Sequence, residues 1–186
     1  MREGDDLHNH LSGAVSTEYL VELAAEDGLC VDTSTMTAVA PPCCVEVPFT
    51  SNAQILGVRG DDHPFETYRA YGVPVVPATD DPGASRIDIS HEYRYAADTY
   101  GLSYPELKDL ARASLEYAFL PGASLWQGNP TRDGYRPVAA CQDVDLGAAG
   151  PGADCRNLLE ASPKAAAQWK QEGAFHRFES SFRTHR

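Results

Sequence analysis

Two short groups of polar residues have the types and spacings that metal binding or acid–base chemistry requires. His8 and His10 are separated by one residue, and Asp80 and Asp81 are adjacent. In a β-strand, residues two apart point to the same face, so the imidazoles of His8 and His10 can reach one metal ion. Imidazole and carboxylate are both common metal ligands. Adjacent carboxylates after a strand face opposite ways, so one can bind a cation while the other contacts a substrate.

Each group also has an ordinary structural explanation. A histidine pair is often a surface or packing feature, and Asp80-Asp81-Pro82-Gly83 has the composition of a solvated turn. Each group lies at the end of an expected strand, however, and α/β barrels place their sites at the carboxyl ends of their strands. This placement adds weight to His8 and His10 as a metal site, whereas for Asp80-Asp81 the residues alone favour the turn.

The elements that would position these residues alternate between strand and helix. Residues 5–30 are predicted to form a first strand–helix unit. Val45–Val47 is predicted as a short strand, and a helix that begins at His63 stops at Gly72. Residues 73–76 then form a buried strand. Strand, helix and strand in this order indicate a parallel βαβ unit.

The remaining stretches are predicted as a junction, two helices, a long loop and a last helix. Residues 31–44 show no clear periodicity and are interpreted as a connection. A helix is expected from its cap at Ser90 to Tyr100, and another from the capping box at Ser103 as far as Pro121. A loop rich in Gly, Pro and Asp follows over 128–154, and the last helix starts at Ser162-Pro163.

Composition limits the class of protein and of partner. The chain has 186 residues, of which 42% are hydrophobic, enough for a packed core. The net charge of −12 argues against nucleic acid and anionic membrane surfaces as partners, because no basic stripe exists to neutralise phosphates. No apolar run approaches the ~20 residues of a membrane span. The amino terminus as written shows no signal peptide, and the charge favours a neutral or cationic small substrate.

Five cysteines are present, and their spacing matches no zinc-ribbon or Cys-x-x-Cys pattern. Cys141 and Cys155 flank a loop rich in Gly and Asp. We expect them to be able to form a disulfide in an oxidising compartment.

Several stretches together resemble the adenosine deaminase family. Residues 6–14, Asp-Leu-His-Asn-His-Leu-Ser-Gly-Ala, resemble the first-strand signature H-x-H-L-x-G of these enzymes. The family's last two strands are similar to four segments of this chain: 45–52, 63–64, 72–75 and 79–82. The final helices of its secreted, growth-factor-like branch resemble residues 91–93 and 114–119. The resemblance covers about residues 5–30 and 45–125.

The resemblance implies a TIM barrel with zinc at its carboxyl-terminal mouth and a purine nucleoside as substrate. The zinc ligands would be His8, His10 and Asp80. The substrate-binding residues would be Asp81, Ser12 and Gly13. Zinc lowers the pKa of water to near 7, which provides the nucleophile that attacks C6 of adenine. Adenosine would be converted to inosine and ammonia.

The family also supplies a further zinc-ligating histidine, a glutamate and a water-orienting histidine from its middle strands, so the catalytic residues stay unassigned here. A (β/α)₈ barrel takes ~250 residues. We therefore expect a partial, internally truncated barrel within a single domain, 1–186. Its first βα unit (5–30) is joined by the junction (31–44) to the last two βα units (45–125). A helical carboxyl-terminal extension, a loop plus one helix, covers 126–186.

Three functions are compatible with this organisation. The first is zinc-dependent deamination of adenosine, where a nucleoside is favoured over a nucleotide because no Lys/Arg cluster is available to bind a phosphate. The second is a catalytically inactive remnant that binds metal, a purine or a partner protein. The third is an open half-barrel that self-associates through an exposed sheet edge.

Overall fold

The computed structural model describes residues 30–32, 37–39 and 44–183. The chain divides into two compact units, Met1–Val45 and Glu46–Arg186, and the single-domain expectation stays a prediction. Almost all of the first strand–helix unit expected over 5–30 lies outside the described residues. The same holds for four of the predicted site residues: His8, His10, Ser12 and Gly13.

Two short strands in the first unit form an antiparallel pair. Strand β1 is Cys30–Asp32 and strand β2 is Thr37–Val39, with Cys30 opposite Val39. They lie largely within residues 31–44, which the sequence predicts to be a connection without regular structure. The two strands are three residues long, too short for an alternation of apolar and polar residues to show in the sequence.

A second sheet consists of strand β3, Val45–Val47, and strand β4, Val75–Pro77. The N–H of Ala78 donates to the carbonyl of Val47 at 3.1 Å. This bond places the carboxyl ends of the two strands side by side, as in a parallel pair. The mixed strand and helix content is confirmed over the described residues. The barrel, and self-association through this sheet, stay predictions.

Strand β4 begins two residues later than the predicted 73–76. The N–H of Val73 donates to the carbonyl of Tyr68 at 2.9 Å, so Val73 belongs to the turn that ends the preceding helix. Gly72 lies in the same turn with φ 69°, a left-handed conformation that glycine adopts without a Cβ clash. The predicted stop at Gly72 is therefore confirmed.

The segment between β3 and β4 carries two α-helices and three of the five rings of an aromatic core. Helix α1 is Phe49–Ser51, a π-helical turn follows over Asn52–Leu56, and helix α2 is Phe65–Ala70. Phe49 and Phe65 are buried, and contacting ring centroids lie 4.7–5.6 Å apart. The rings of this aromatic core are those of Phe49, His63, Phe65, Tyr95 and Tyr100. Phe49 contacts all four other rings, and these contacts hold in place the residues that directly follow β3.

Three helices follow β4: helix α3, Pro82–Ser85, helix α4, Ile89–Tyr100, and helix α5, Tyr104–Glu116. The sequence predicts α4 and α5 but interprets the residues of α3 as a turn. Helix α3 is a single turn that begins with proline, so turn chemistry and a short helix share the same signal.

The caps of α4 and α5 test the predicted helix ends. The Asp88 carboxylate accepts from the N–H of His91 at 3.1 Å, so Asp88, and not the predicted Ser90, caps α4. Aspartate and serine are comparable caps, and the extended backbone of Asp88 (φ −124°, ψ 176°) decides between them. Gly101 ends α4 with φ 66°, and Ser103 and Glu106 form the predicted capping box of α5.

The carboxyl-terminal part contains helix α6, Pro130–Asp133, helix α7, Ala153–Ala161, and helix α8, Pro163–Arg183. Helix α8 begins where the sequence predicts. Helix α7 is not predicted, since only Cys155 is buried on it and so few apolar positions give no helical period. Although α8 has 21 residues, no helix in the described part of the chain is both long and apolar enough to cross a bilayer.

A disulfide joins Cys141 to Cys155, with the sulfur atoms 2.05 Å apart, and confirms the predicted pairing. Both cysteines are fully buried in an apolar cluster that spans the loop, α7 and α8. Its members are Leu125, Trp126, Cys141, Cys155, Ala165 and Trp169. The predicted extension therefore has a core of its own.

Ion pairs attach α8 to α5. Arg112 donates to Glu172 through two nitrogens, at 2.7 and 2.8 Å, and both side chains are largely buried. Lys108 on the same face of α5 pairs with Glu179 at 2.7 Å. A buried bidentate pair holds two helices in one register, because breaking it would leave an uncompensated charge in the interior.

We predict that Cys141→Ala/Cys155→Ala is less stable than the wild type by about 3 kcal/mol, because the disulfide closes a loop of about 15 residues in the unfolded chain. The measurement is urea unfolding of both proteins without reductant. Wild-type protein unfolded in excess reductant should match the double variant. Equal unfolding free energies for all three samples would contradict a stabilising role.

Candidate functional site

Asp80 is held by the turn that follows β3. The Ser51 hydroxyl, in the buried helix α1, donates to Asp80 Oδ2 at 2.6 Å. The two residues are 29 positions apart and meet because β3 and β4 lie side by side at their carboxyl ends. A hydroxyl that bonds one carboxylate oxygen orients the group and leaves the other oxygen available for a ligand.

The backbone of Asp80 is in the left-handed region, with φ 54°. A residue with a Cβ pays roughly 1–3 kcal/mol for such a conformation unless its surroundings hold it. Aspartate tolerates this region better than most residues. The Ser51 hydrogen bond supplies part of the restraint, so an unusual backbone and a fixed carboxylate coincide at a predicted ligand position.

Asp81 is solvent-exposed, as Asp80 is, but it has different hydrogen-bond partners. It precedes helix α3 without its carboxylate capping that helix. Its backbone carbonyl accepts from the N–H of Ser85 at 3.0 Å. The Asp81 carboxylate therefore does not cap helix α3 and is accessible to a molecule that approaches the carboxyl ends of β3 and β4.

The chemistry at Asp80 fits a zinc ligand. A carboxylate oriented by a hydroxyl is a common arrangement for a zinc-binding carboxylate. Within residues 44–182, whose side chains the structure describes, no three His, Cys, Asp or Glu side chains come together to hold a metal ion. A zinc ion on Asp80 would need its other ligands from outside that range. The predicted His8 and His10 lie there, as do Ser12 and Gly13, so these four assignments stay predictions.

His63 is a buried structural histidine. The N–H of Phe65 donates to its Nδ1 at 3.1 Å, and the Asn52 amide lies 2.8 Å from its Nε2. With Nδ1 as acceptor, a neutral ring carries its proton on Nε2, whereas the Asn52 atom 2.8 Å from Nε2 is the amide nitrogen Nδ2. The two orientations of the Asn52 amide are related by a half-turn, and the one that presents Oδ1 accepts this proton. Burial lowers the pKa of His63. The ring therefore stays neutral and fixes Asn52.

Glu92 is a buried carboxylate that the sequence does not single out. Its two oxygens lie 3.2 and 3.3 Å from the Thr50 nitrogen, which donates to them. The side chain is fully buried on α4. A helical glutamate is usually exposed, and its partner is 42 positions away. Local sequence patterns carry no signal for such a contact.

Two histidines are each followed three residues later by a glutamate, a spacing that could serve acid–base chemistry. After His63 comes Glu66, which pairs with Arg69 at 2.9 Å. His176 is exposed and precedes Glu179, which pairs with Lys108 at 2.7 Å. Each glutamate forms an ion pair with a basic side chain, so neither histidine–glutamate motif forms an acid–base pair in the described structure.

Comparison with known proteins gives one family. The model of the family described as adenosine deaminase matches residues 42–125, which include β3, β4, Asp80 and Asp81. The match ends where the apolar cluster of the extension begins, at Leu125. No solved structure matches.

Two curated relatives match a similar length of the chain. An adenosine deaminase of Aliivibrio fischeri is 40% identical over 77 residues, 41% of this chain and 23% of the relative. An adenosine deaminase of Shewanella loihica is 46% identical over 72 residues, 38% of this chain and 22% of the relative. The matching part thus corresponds to less than a quarter of each relative's length.

We predict that His63 makes the fold sensitive to mild acid. Because its pKa is lowered from 6.5 in the folded state, the unfolded chain binds more protons as the pH falls below 6.5, and the unfolding free energy decreases. Urea unfolding between pH 7.5 and 5 measures this loss. The pKa of Glu106, lowered to about 2 by hydrogen bonds from Ser103, affects stability only at more acid pH, below its ordinary 4.5.

The variant His63→Gln should lose part of this pH dependence, since glutamine does not titrate. His91→Gln removes an exposed histidine and serves as the matched control, which should keep the wild-type dependence. If His63→Gln and the wild type lose the same free energy between pH 7.5 and 5, His63 is not the group responsible.

Proposed function

We propose that this chain, whose residues 42–125 belong to the adenosine deaminase family, acts in the zinc-dependent hydrolytic deamination of adenosine to inosine and ammonia. The observation that carries the proposal is the Asp80 carboxylate. It is fixed by Ser51 at 2.6 Å, at the carboxyl ends of two adjacent strands, within the segment that matches the family.

In this proposal Asp80 supplies one zinc ligand, and His8 and His10 supply two more. When bound, zinc acts as a Lewis acid and provides an activated water at neutral pH. Ser51 holds Asp80 in place, which keeps this one ligand ordered before metal arrives. Aspartate in a left-handed conformation held by a neighbour is a preorganised ligand.

Asp81 is the proposed substrate contact. It is exposed next to Asp80, and a carboxylate accepts hydrogen bonds from the N–H groups of a purine. Ser12 and Gly13 would contribute further substrate contacts. The net charge of −12 favours a nucleoside over a nucleotide, because a phosphate would be repelled by the acidic surface.

An inactive metal- or purine-binding protein is the second candidate. Its support is that the matching part corresponds to only 23% and 22% of the two relatives, and that the catalytic acid–base residues are unassigned in this chain. General acid–base groups contribute about 10²–10⁴-fold each. Binding without turnover is the expected behaviour of a chain that keeps ligands but lacks these groups.

Zinc binding tests the metal site. Asp80→Asn keeps the size of the side chain and its tolerance of positive φ, but removes the charge that zinc requires. We predict that it binds zinc more weakly by more than the ~10–100-fold that loss of an outer partner costs. The measurement is competition with a chromophoric chelator. Asp98→Asn, which removes an exposed aspartate of α4, should bind as the wild type does. If the Asp80 and Asp98 variants bind zinc equally tightly, Asp80 is not a zinc ligand.

Adenosine turnover tests the reaction. Zinc-loaded protein at high concentration should release ammonia and change the ultraviolet absorbance of adenosine. Asp81→Asn should keep zinc but raise the KM for adenosine, because it changes a substrate contact and no ligand. Zinc and adenosine binding without ammonia release would favour the inactive binding protein. Protein that binds neither would refute both candidates.

A further inference from the structure

Glu92 occupies an unusual position for a charged side chain. It is fully buried on α4, and within the described part of the chain no Lys or Arg forms an ion pair with it. Its hydrogen-bond donor is the backbone N–H of Thr50, whose nitrogen lies 3.2 and 3.3 Å from the two carboxylate oxygens. Burying a carboxylate is costly, so a carboxylate kept here for one backbone donor suggests a specific task.

Thr50 stands next to the residue that holds Asp80. Helix α1 is a single turn, Phe49–Ser51, in which Thr50 donates its N–H to Glu92 and Ser51 donates its hydroxyl to Asp80. Two consecutive residues therefore bind the two ends of one segment, Asp80–Glu92. The segment is attached to the same turn at its beginning and at its end.

The segment between the two attachments has little else to fix it. Most of its residues are exposed. It contains both non-glycine residues with positive φ in the described part of the chain, Asp80 at 54° and Arg86 at 53°. A segment that is exposed and holds unfavourable backbone angles depends on its end contacts to keep one conformation.

We propose that Glu92 is a positioning residue for the Asp80 site, a role that rests on the proposed zinc function. Its carboxylate fixes the N–H of Thr50, and through it the orientation of the neighbouring Ser51 hydroxyl toward Asp80. Glu92 contacts neither Asp80 nor the proposed substrate position directly, so it acts through the turn. Removing its acceptor frees the turn and loosens the carboxylate that binds the metal.

A double-mutant cycle on zinc affinity tests this role. Glu92→Met keeps the length of the side chain and removes the acceptor, and Ser51→Ala removes the hydroxyl. We expect each single variant to bind zinc about 10–100-fold more weakly than the wild type. The double variant should bind no more weakly than the weaker single variant, because both changes break the same connection. If the fold-losses in zinc affinity of the two single variants multiply in the double variant, Glu92 acts independently of Ser51, and the proposal is overturned.

Glu92→Gln separates positioning from simple packing. Glutamine keeps a neutral acceptor and so forms a weaker bond than a carboxylate does. The zinc affinity of Glu92→Gln should lie between those of the wild type and Glu92→Met. The melting temperatures of these three proteins should not follow the same order. If Glu92→Met does not fold, Glu92→Gln takes its place in the cycle with Ser51→Ala. Wild-type zinc affinity in Glu92→Gln, together with unchanged exchange of the Thr50 amide, would then overturn the proposal.

Metal-free protein gives a second readout that does not depend on the proposed function. Amide spectra of the apo proteins should show the Asp80 signal displaced in the same direction by Glu92→Met and by Ser51→Ala, and less by Glu92→Gln. An Asp80 signal unmoved by Glu92→Met would overturn the positioning role. Absence of zinc binding in the wild type would instead count against the proposed metal site, while the apo spectra still decide the role of Glu92.

Discussion

The described site depends on the pairing of β3 with β4, which the hydrogen bond from the N–H of Ala78 to the carbonyl of Val47, at 3.1 Å, extends to the carboxyl ends of both strands. It brings together the carboxyl ends of β3 and β4, and every polar contact of the site is built from the residues that follow these two ends. Without it, Ser51 and Asp80 would be separated by the 29 positions between them in the chain. Side-by-side carboxyl ends are also the geometry from which α/β folds build their sites.

Three successive residues after β3 each form a hydrogen bond to a residue farther along the chain. Thr50 bonds Glu92, Ser51 bonds Asp80, and Asn52 bonds His63. These polar contacts lie beside the aromatic core, where Phe49 contacts four rings. An unpaired polar group costs about 1–3 kcal/mol in such surroundings. The turn is therefore restricted to the arrangement that satisfies all three contacts, and the same restriction orients Asp80.

Sequence reasoning found the parts of this arrangement that are local. The stops at Gly72 and Gly101 and the capping box at Ser103 depend on residues a few positions apart, and the structure confirms them. The adjacent pair Asp80-Asp81 was recognisable from its place after a strand. Glu92 was not, because a buried glutamate 42 positions from its partner leaves no periodic pattern. Helix α7 was missed because the disulfide and surrounding cluster stabilise it, and a nine-residue helix with one buried position has too little periodicity.

The carboxyl-terminal extension bears on the site, although it lies beyond the family match. Helix α5 ends the matched segment and packs on β4, the strand that precedes Asp80. On its other side, α5 is bound to α8 by the buried pair of Arg112 and Glu172. Leaving one charge of such a pair alone costs about 3–5 kcal/mol, a large part of the 5–15 kcal/mol by which a domain is stable. The extension thus fixes α5, and α5 in turn supports the strand that precedes Asp80.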